Sequence, residues 1–289
     1  ISKCLHSAWS FMRINFRLLI TEFAKSLGVL SAFVTILSVW SNDKCFWQSL
    51  LHLAPYVCFA IACLWAIYKV FPRTCITITF HKNEERVIKV QKGDIWSIQK
   101  GIVVIPVNNF LDIQDDDIII AKRSLHGMFI DNFRQKYKDK DLDAMIKQAV
   151  KNDGIAPSGN YTDRMNLQDD KHCTCYPLGT VVRLKLGDLQ YYLVVATEFD
   201  KDNHVIHEPE KYSMMILTML QHIHIWNSEV PVYLPIIGSG QMGLPLTKQE
   251  VLTEMLSCFN LAERYVALGG TTILIYKGDM KDISLNKLS

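Results

Sequence analysis

The fold class follows from residues 232–250, Val-Tyr-Leu-Pro-Ile-Ile-Gly-Ser-Gly-Gln-Met-Gly-Leu-Pro-Leu-Thr-Lys-Gln-Glu. An apolar, β-branched run ends in three glycines, Gly238, Gly240 and Gly243. Thr247 and Glu250 have the spacing of a capping box, in which a hydroxyl and a carboxylate satisfy amides that a helix start leaves unpaired. Glycines allow positive φ and let backbone N–H groups approach an anion with no Cβ in the way. The stretch therefore predicts a strand, an anion-cradling loop and a helix.

The same letters match the dinucleotide-binding pattern G-x-G-x-x-G. Fewer than fifty residues follow Gly243, which is too few for the remaining βαβ units of a Rossmann domain. The acidic residue expected about 20 positions further on would be Glu263, inside a predicted helix. We therefore reject a Rossmann domain. A tight glycine turn that binds no ligand remains the alternative to an anion site.

Apolar residues are concentrated near the amino end of the 289-residue chain. No residue is charged from Ser26 to Asn42 or from Cys45 to Tyr68, and each run is long enough to span a bilayer. A secretory signal peptide does not fit the first run, because a second run follows at once. We predict a transmembrane helical hairpin over residues 26–71. Because the chain begins with Ile1, we also expect its true start to lie upstream.

Residues 1–25 carry apolar side chains at three-to-four spacing and basic side chains on another face. They are predicted to form an amphipathic interfacial segment. Two alternatives stay open, that the segment begins a longer first membrane helix, or that it packs against the soluble domain. Residues 73–289 are predicted to form that soluble domain.

Basic residues flank the predicted hairpin on both sides. Four of them precede it (Lys3, Arg13, Arg17 and Lys25), three follow it (Lys69, Arg73 and Lys82), and only Lys44 lies in the connection. The positive-inside rule then places both ends of the hairpin in the cytoplasm. We predict a multi-pass cell-membrane protein whose termini and soluble domain are cytoplasmic.

Charge and cysteine usage exclude several function classes. The formal net charge is +2 and the charged residues of the soluble region are interspersed, so a nucleic-acid partner is not expected. The eight cysteines lack paired C-x-x-C spacing, which favours a reduced compartment. His172, Cys173 and Cys175 lack a second ligand pair at finger-like distance. We therefore expect neither a metal nor a resident cofactor.

The soluble region alternates predicted strands with predicted helices. The strands are residues 74–80, 86–90, 101–107, 180–186, 191–197, 232–237 and 271–276, and the helices are a stretch that follows Gly127 and ends at about residue 150, residues 210–226 and residues 248–265. The strand at 101–107 is nearly all apolar, as expected of a central strand buried on both faces. Residues 151–176 show little pattern and are expected to be partly disordered. This order predicts an α/β three-layer domain with a mixed sheet, and ligands in such sheets bind beyond the carboxyl ends of strands.

Five elements in this order make the region from residue 86 to 280 resemble a macro domain. They are Gly-Asp-Ile at 93–95, the asparagines that end the strand at 102–107, Pro-Leu-Gly-Thr at 177–180, the glycine loop at 237–245 and the terminal Ile-Leu-Ile-Tyr at 273–276. With a membrane hairpin in front, the chain resembles the membrane-anchored macro-domain effectors of bacterial Thoeris anti-phage defence. The resemblance implies that a TIR-domain protein makes an ADP-ribose-derived nucleotide from NAD and that the macro domain senses this nucleotide. We predict that binding of the nucleotide drives homo-oligomerisation in the lipid bilayer and disrupts the membrane.

The resemblance also implies roles for individual residues. Asp94 and the Ile95 amide would recognise adenine, and Tyr276 would stack on it. Asn108 and Asn109 stand where macro domains contact the distal ribose, and Ser124, His126 and Gly127 fall within the place of the first glycine-rich loop. The diphosphate would be wrapped by the second loop, Gly238, Ser239, Gly240, Gln241, Met242 and Gly243. For several of these residues a purely structural role stays open, since Asp94 can cap a turn, and Tyr276 and His126 can pack.

Hydrolytic macro domains usually carry a glycine run after the asparagine-ended strand, and this chain does not. Phe110, Leu111 and Asp112 replace it, so recognition of a substituent fits better than passage of water. No catalytic triad or poised carboxylate pair can be assigned. We therefore expect a sensor and not an enzyme. The alternatives are a membrane-tethered ADP-ribosyl hydrolase that uses Asn109 or Asp112 to orient water, and a membrane scaffold with no nucleotide ligand.

Overall fold

The computed structural model describes residues 2–40, 44–71, 73–80, 83–114, 117, 119–164, 172–227, 229–240 and 243–288. The chain divides into two compact units. One comprises Ile1–Thr74 together with Lys281–Ser289, and the other comprises Cys75–Met280.

The first unit is built on two helices, α1 (Ser2–Trp40) and α2 (Lys44–Val70). They lie against each other, with Phe23 and Phe59 in edge-to-face contact at 5.5 Å between ring centroids. Within α1, Asn15–Ile36 is long and apolar enough to cross a membrane, whereas the apolar part of α2 that the structure describes, Leu53–Lys69, is shorter. One candidate span is therefore found among the described residues, and the predicted two-span hairpin is not confirmed. Helix α1 is continuous across residues 25 and 26, where the sequence suggested a boundary.

The carboxyl-terminal segment, Lys281–Ser289, belongs to this helical unit. The Asn286 side-chain amide donates to the backbone oxygens of Lys69 (2.9 Å) and Phe71 (3.0 Å) at the end of α2. The Ser284 hydroxyl donates to the buried Asn15 side chain of α1 at 2.6 Å. The predicted soluble domain included this segment, but the α/β unit ends at Met280.

The second unit is organised around a mixed sheet with strand order β1-β2-β10-β9-β3-β7-β6. Its strands are β1 (Cys75–Phe80), β2 (Asn83–Lys92), β3 (Gly101–Asn108), β6 (Val181–Leu186), β7 (Leu189–Phe199), β9 (Val232–Pro235) and β10 (Thr271–Ile275), while β8 (Val205–Ile206) pairs with β7. Neighbours from β2 to β7 run parallel, and β1 and β6 are antiparallel edge strands. This confirms the predicted α/β domain with a mixed sheet.

Helices α3 (Leu125–Lys136), α4 (Leu142–Asn152), α5 (Tyr212–Trp226) and α6 (Lys248–Leu261) complete the unit. The single helical stretch predicted up to residue 150 is two helices, because Asp141 caps a new start at α4 by accepting from the Ala144 amide. The segment expected to be partly disordered contains a short antiparallel pair, β4 (Gly159–Asn160) with β5 (Thr174–Cys175). Residues 165–171 of that segment lie outside the described residues.

Strand β3 is buried along almost its whole length, as its apolar sequence predicts. It pairs with β9 only at Ile102 and Val103. Further along, Pro106 in β3 and Pro235 at the end of β9 have no N–H with which to continue a ladder. The two strands therefore part at their carboxyl ends, and both prolines line the space between them.

Candidate functional site

A cavity of about 1020 Å³ opens at the carboxyl ends of β3, β9 and β10. This volume is at the upper end of the range for small-molecule sites. The charged side chains that line the cavity are three basic (Lys122, Arg123 and Lys248) and two acidic (Asp94 and Asp279). The amino end of α3 also borders it, and a helix amino terminus favours a negatively charged ligand. The geometry is that of a binding site for an extended anionic molecule.

Nine of the predicted ligand residues line the cavity, namely Asp94, Ile95, Asn108, Ser124, His126, Gly238, Ser239, Gly240 and Tyr276. Asn109, Gly127 and Gly243 are not among the lining residues. Gln241 and Met242 lie outside the described residues. Most of the predicted set, drawn from five separate segments of the chain, is thus brought to one place.

The outer end of the cavity is defined by Asp94, Trp96 and Tyr276. Asp94 is exposed and caps a short 3-10 helix (Ile95–Ser97), accepting from the Trp96 amide at 3.0 Å. Tyr276 follows β10 and is 66% exposed, which leaves its ring face open to a stacking partner. The Gly93 amide donates to the Ile275 oxygen at 3.0 Å, which joins the two segments.

The glycine loop divides into a rigid part and an open part. Gly238 has φ +97°, and a Cβ placed there would lie 2.8 Å from the Tyr212 ring. The Tyr212 hydroxyl, whose pKa burial raises, donates to the Ile237 oxygen at 2.8 Å. Gly240 lines the cavity, and a Cβ on it would meet no atom of the described residues within 4 Å. Gly243 packs against His207 and away from the cavity lining.

The helix start after this loop is the predicted one. Thr247 and Glu250 form a capping box at α6, with the Thr247 amide donating to Glu250 Oε2 at 2.8 Å. These hydrogen bonds from Thr247 lower the pKa of Glu250. Lys248, the first residue of α6, pairs with Asp279, and both side chains line the cavity. The capping box thereby places a lysine beside the glycine loop.

The inner end of the cavity is defined by Asn108 and His126, with Asp112 behind them. Asp112 is 2% exposed and accepts from the Asn108 amide nitrogen at 2.7 Å. The Arg164 guanidinium donates to both Asp112 oxygens, each at 2.7 Å, and lies 3.7 Å from the Phe110 ring centroid. Arg164 comes from the segment that was expected to be partly disordered, and it is buried.

His126 is held neutral at this end. Burial lowers its pKa to about 4, although the nearby Asp112 acts in the opposite direction. Ser124, two residues earlier, caps α3 by accepting from the Gly127 amide at 3.0 Å. Gly127 has a packing role, since a Cβ there would lie 2.5 Å from the Ala121 oxygen.

Asn109 is occupied by the fold itself. Its side chain donates to the Phe199 oxygen at 3.1 Å and accepts from the Phe199 amide at 2.9 Å. It therefore fastens the end of β3 to the end of β7, and Phe199 lines the cavity beside it. The sequence prediction gave this asparagine a ligand contact, whereas the structure gives it a buried structural partner.

Sequence reasoning missed Arg164, Phe199, Lys248 and Asp279. Lys248 lies within the predicted capping box and Phe199 follows a predicted strand. The sequence therefore could have indicated both residues. Arg164 lies in a stretch without periodicity, and no sequence pattern indicated it.

Among the described residues, one group is close enough to share a metal ion, Asp200, Asp202 and His204. There Asp200 accepts from the amides of the other two at 2.9 and 2.8 Å, and so stabilises a turn.

Residues 88–276 match the family model described as "Thoeris protein ThsA, Macro domain". The chain is 28% identical over 223 residues to the Thoeris protein ThsA of Bacillus amyloliquefaciens (strain Y2), which covers 74% of this chain and 69% of that protein. Among solved structures, it is similar to the Oceanobacillus iheyensis macrodomain with ADP, at 13% identity and TM-score 0.42, covering 75% of this chain and 96% of the other. It is also similar to the macrodomain of Thermus aquaticus DarG, at 14% identity and TM-score 0.40, covering 66% and 99%. Because the family model matches well over half of its length, the chain belongs to the Thoeris ThsA macro-domain family.

Proposed function

We propose that this protein is a membrane-anchored effector of Thoeris anti-phage defence whose macro domain senses an ADP-ribose-type nucleotide. The signal is derived from NAD by a TIR-domain partner. The observation that carries the proposal is the cavity at the carboxyl ends of three parallel strands. The glycine loop, the amino end of α3 and the exposed Tyr276 all border it. Adenine occupies the outer end beside Asp94 and Tyr276, and the diphosphate lies against the glycine loop.

The hydrolase alternative would use Asn109 or Asp112 to orient water, and the side chains of both are already hydrogen-bonded within the fold. This favours binding without hydrolysis. Both oxygens of Asp112 accept hydrogen bonds from Arg164 in a buried pair, so this carboxylate is poorly placed to activate water. Both amide atoms of Asn109 are bonded to the backbone of Phe199. These contacts support a sensor over the alternative of a membrane-tethered ADP-ribosyl hydrolase.

The helical unit supports a membrane location. Helix α1 contains one stretch fit to cross a bilayer, and within the described part of its partner α2 the apolar stretch Leu53–Lys69 is shorter. Apolar side chains such as Phe33, Leu53 and Leu64 are more than half exposed on these helices, which suits lipid contact better than water. We propose that both helices cross the membrane, with the macro domain and both termini in the cytoplasm, as the distribution of basic residues predicts.

The proposed response is assembly of several chains. Two helices in one protomer cannot enclose an aqueous path, because every backbone group exposed to lipid must be bonded internally. A ligand drives assembly only when it binds the assembled form more tightly than the resting form. Nucleotide binding therefore promotes homo-oligomerisation of the helices, and the oligomer disrupts the bilayer.

Calorimetry of the full-length protein in detergent with ADP-ribose tests the binding proposal. We expect saturable binding by the wild type and none by Gly240→Val, because the added side chain occupies space that the diphosphate needs. The unfolding midpoint of this variant should be unchanged, since the new Cβ meets no protein atom. Gly28→Val is the matched control, because a Cβ at Gly28 in α1 also meets no atom within 4 Å. Absence of wild-type binding would leave the scaffold alternative, and release of free ADP-ribose from a modified protein would favour the hydrolase.

A second measurement tests the response in proteoliposomes. Ligand should shift the protein to a larger species in crosslinking and should release an entrapped dye, and Gly240→Val should do neither. Confirmed binding without assembly or leakage would leave a membrane-tethered receptor and refute the effector role.

A further inference from the structure

We propose that Arg164 is a positioning residue for ligand recognition: through Asp112 it fixes Asn108, and so sets which groups fit beyond the diphosphate at the inner end. The inference rests on the proposed nucleotide function and adds a determinant of specificity to it. Arg164 is not among the residues that line the cavity, so its effect on the ligand is indirect.

The first link is the contact between Arg164 and Asp112. The guanidinium meets the carboxylate edge to edge with two hydrogen bonds of 2.7 Å, and the two side chains are 0% and 2% exposed. Arg164 Nε also donates to Asn203 Oδ1 at 2.7 Å, and Nη1 donates to the His172 backbone oxygen at 2.8 Å. Paired hydrogen bonds from a planar guanidinium fix direction as well as distance. Asp112 is therefore held in one orientation.

The second link joins Asp112 to Asn108. The Asn108 amide nitrogen donates to Asp112 Oδ2 at 2.7 Å, and its amide oxygen accepts from the Asp112 backbone N–H at 3.1 Å. Turning the amide over would replace both hydrogen bonds by unfavourable contacts. Asn108 lines the cavity and is 3% exposed, so the atoms that it presents to a ligand are determined by Asp112.

The loop from Asn108 to Asp112 is held by local and by distant hydrogen bonds, and the Leu111 amide donates to the Asn108 backbone oxygen at 3.1 Å. Leu111 has φ +54° although it is neither glycine nor asparagine, and it is 2% exposed. Such a conformation persists only where surrounding contacts require it. Among the distant contacts, the Tyr176 amide donates to the Asn109 oxygen at 2.8 Å and His172 Nδ1 lies 3.1 Å from the Phe110 oxygen. Arg164 and the residues that follow it in the chain thus help to fix the conformation of residues 109–112.

Two ligands that differ only at the inner end separate positioning from general stability. ADP contains the adenine and diphosphate parts of ADP-ribose but lacks the distal ribose. A variant that disturbs only Asn108 should weaken ADP-ribose binding and leave ADP binding intact. A variant that merely loosens the domain should weaken both.

The substitution is Arg164→Lys in the full-length protein, with calorimetry of both ligands. Lysine keeps the charge but cannot form the paired contact. We expect about a tenfold loss of affinity for ADP-ribose and no change for ADP. An equal loss for both ligands, or no loss for either, would overturn the positioning role.

Arg183→Lys is the matched control. Two nitrogens of the Arg183 guanidinium donate hydrogen bonds to the Asp153 carboxylate, and the guanidinium lies 4.1 Å from the ring centroid of Trp226. None of these three residues lines the cavity. This control should leave the ratio of ADP-ribose affinity to ADP affinity at the wild-type value. A change in the ratio equal to that of Arg164→Lys would overturn the inference.

A double variant keeps the proposal testable if Arg164→Lys fails to fold. Asp112→Asn with Arg164→Gln replaces the ion pair by neutral groups that can still hydrogen-bond, so that no buried charge is left unpaired. The ratio of affinities should fall here as well, and an unchanged ratio would refute the role of the pair. Wild-type protein that binds neither nucleotide would refute the proposed function itself, whereas retained wild-type binding with an unchanged ratio refutes only this inference.

Discussion

The two ends of the cavity are built in different ways. At the outer end, Asp94 accepts from an amide two residues away and is exposed. At the inner end, Asp112 is paired with an arginine 52 residues away, and both are buried. A local hydrogen bond at the surface contributes about 1 kcal/mol and can be replaced by water. A buried charge that loses its partner cannot be solvated, so the inner end is far less tolerant of change.

The largest expected effect is on the free energy of unfolding when each carboxylate is removed. Asp112→Ala should cost about 3–5 kcal/mol, because it leaves the Arg164 charge buried without its partner. Asp94→Ala should cost about 1 kcal/mol, the usual value of a lost helix cap. Urea titrations of both variants give the comparison, and similar costs would show that the two ends do not differ in this way.

A pH titration of stability sharpens the comparison at His126. Burial lowers its pKa from 6.5 to about 4. The unfolded chain therefore takes up a proton between pH 6.5 and 4 that the folded chain does not. The contribution of His126 is fully present above pH 6.5, and about 3 kcal/mol of it should be lost as the pH falls towards 4, since one pKa unit corresponds to about 1.4 kcal/mol.

His126→Gln should flatten this dependence on pH, because glutamine does not titrate. The measurement is the free energy of unfolding of both proteins at intervals from pH 7 to pH 4. His204→Gln is the control, because the His204 side chain is 79% exposed and does not line the cavity. Curves for wild type and His126→Gln that stay parallel would contradict the assignment of a buried, neutral histidine.

The smallest effect separates two glycines of the same loop. Gly238→Ala should destabilise the fold by about 1–3 kcal/mol, because alanine disfavours φ +97° and its Cβ would lie 2.8 Å from Tyr212. Gly240→Ala should leave stability within about 0.5 kcal/mol of the wild type, because its Cβ meets no atom. Thermal unfolding measures both variants, and a large loss for Gly240→Ala would mean that the loop is packed and not open.

The predicted elements that proved correct rest on local rules. The capping box at Thr247 and Glu250 needs only two side chains three residues apart, and the buried strand needs only an apolar run. Nine of the ligand residues that the resemblance to macro domains implied line the cavity, and they remain predictions as ligand contacts. The membrane hairpin was drawn from two uncharged runs. One candidate span is found among the described residues, so the second span stays a prediction.

What the sequence alone determined is thus the α/β order, the glycine loop and the cap that follows it, because each depends on residues close together in the chain. Only the tertiary structure decided the inner end. Asn109 is occupied by Phe199, which is 90 residues away, and Arg164 reaches Asp112 from a segment without periodicity. Local preference does not encode such contacts. They form because a buried amide or charge must find a partner wherever the fold brings one near.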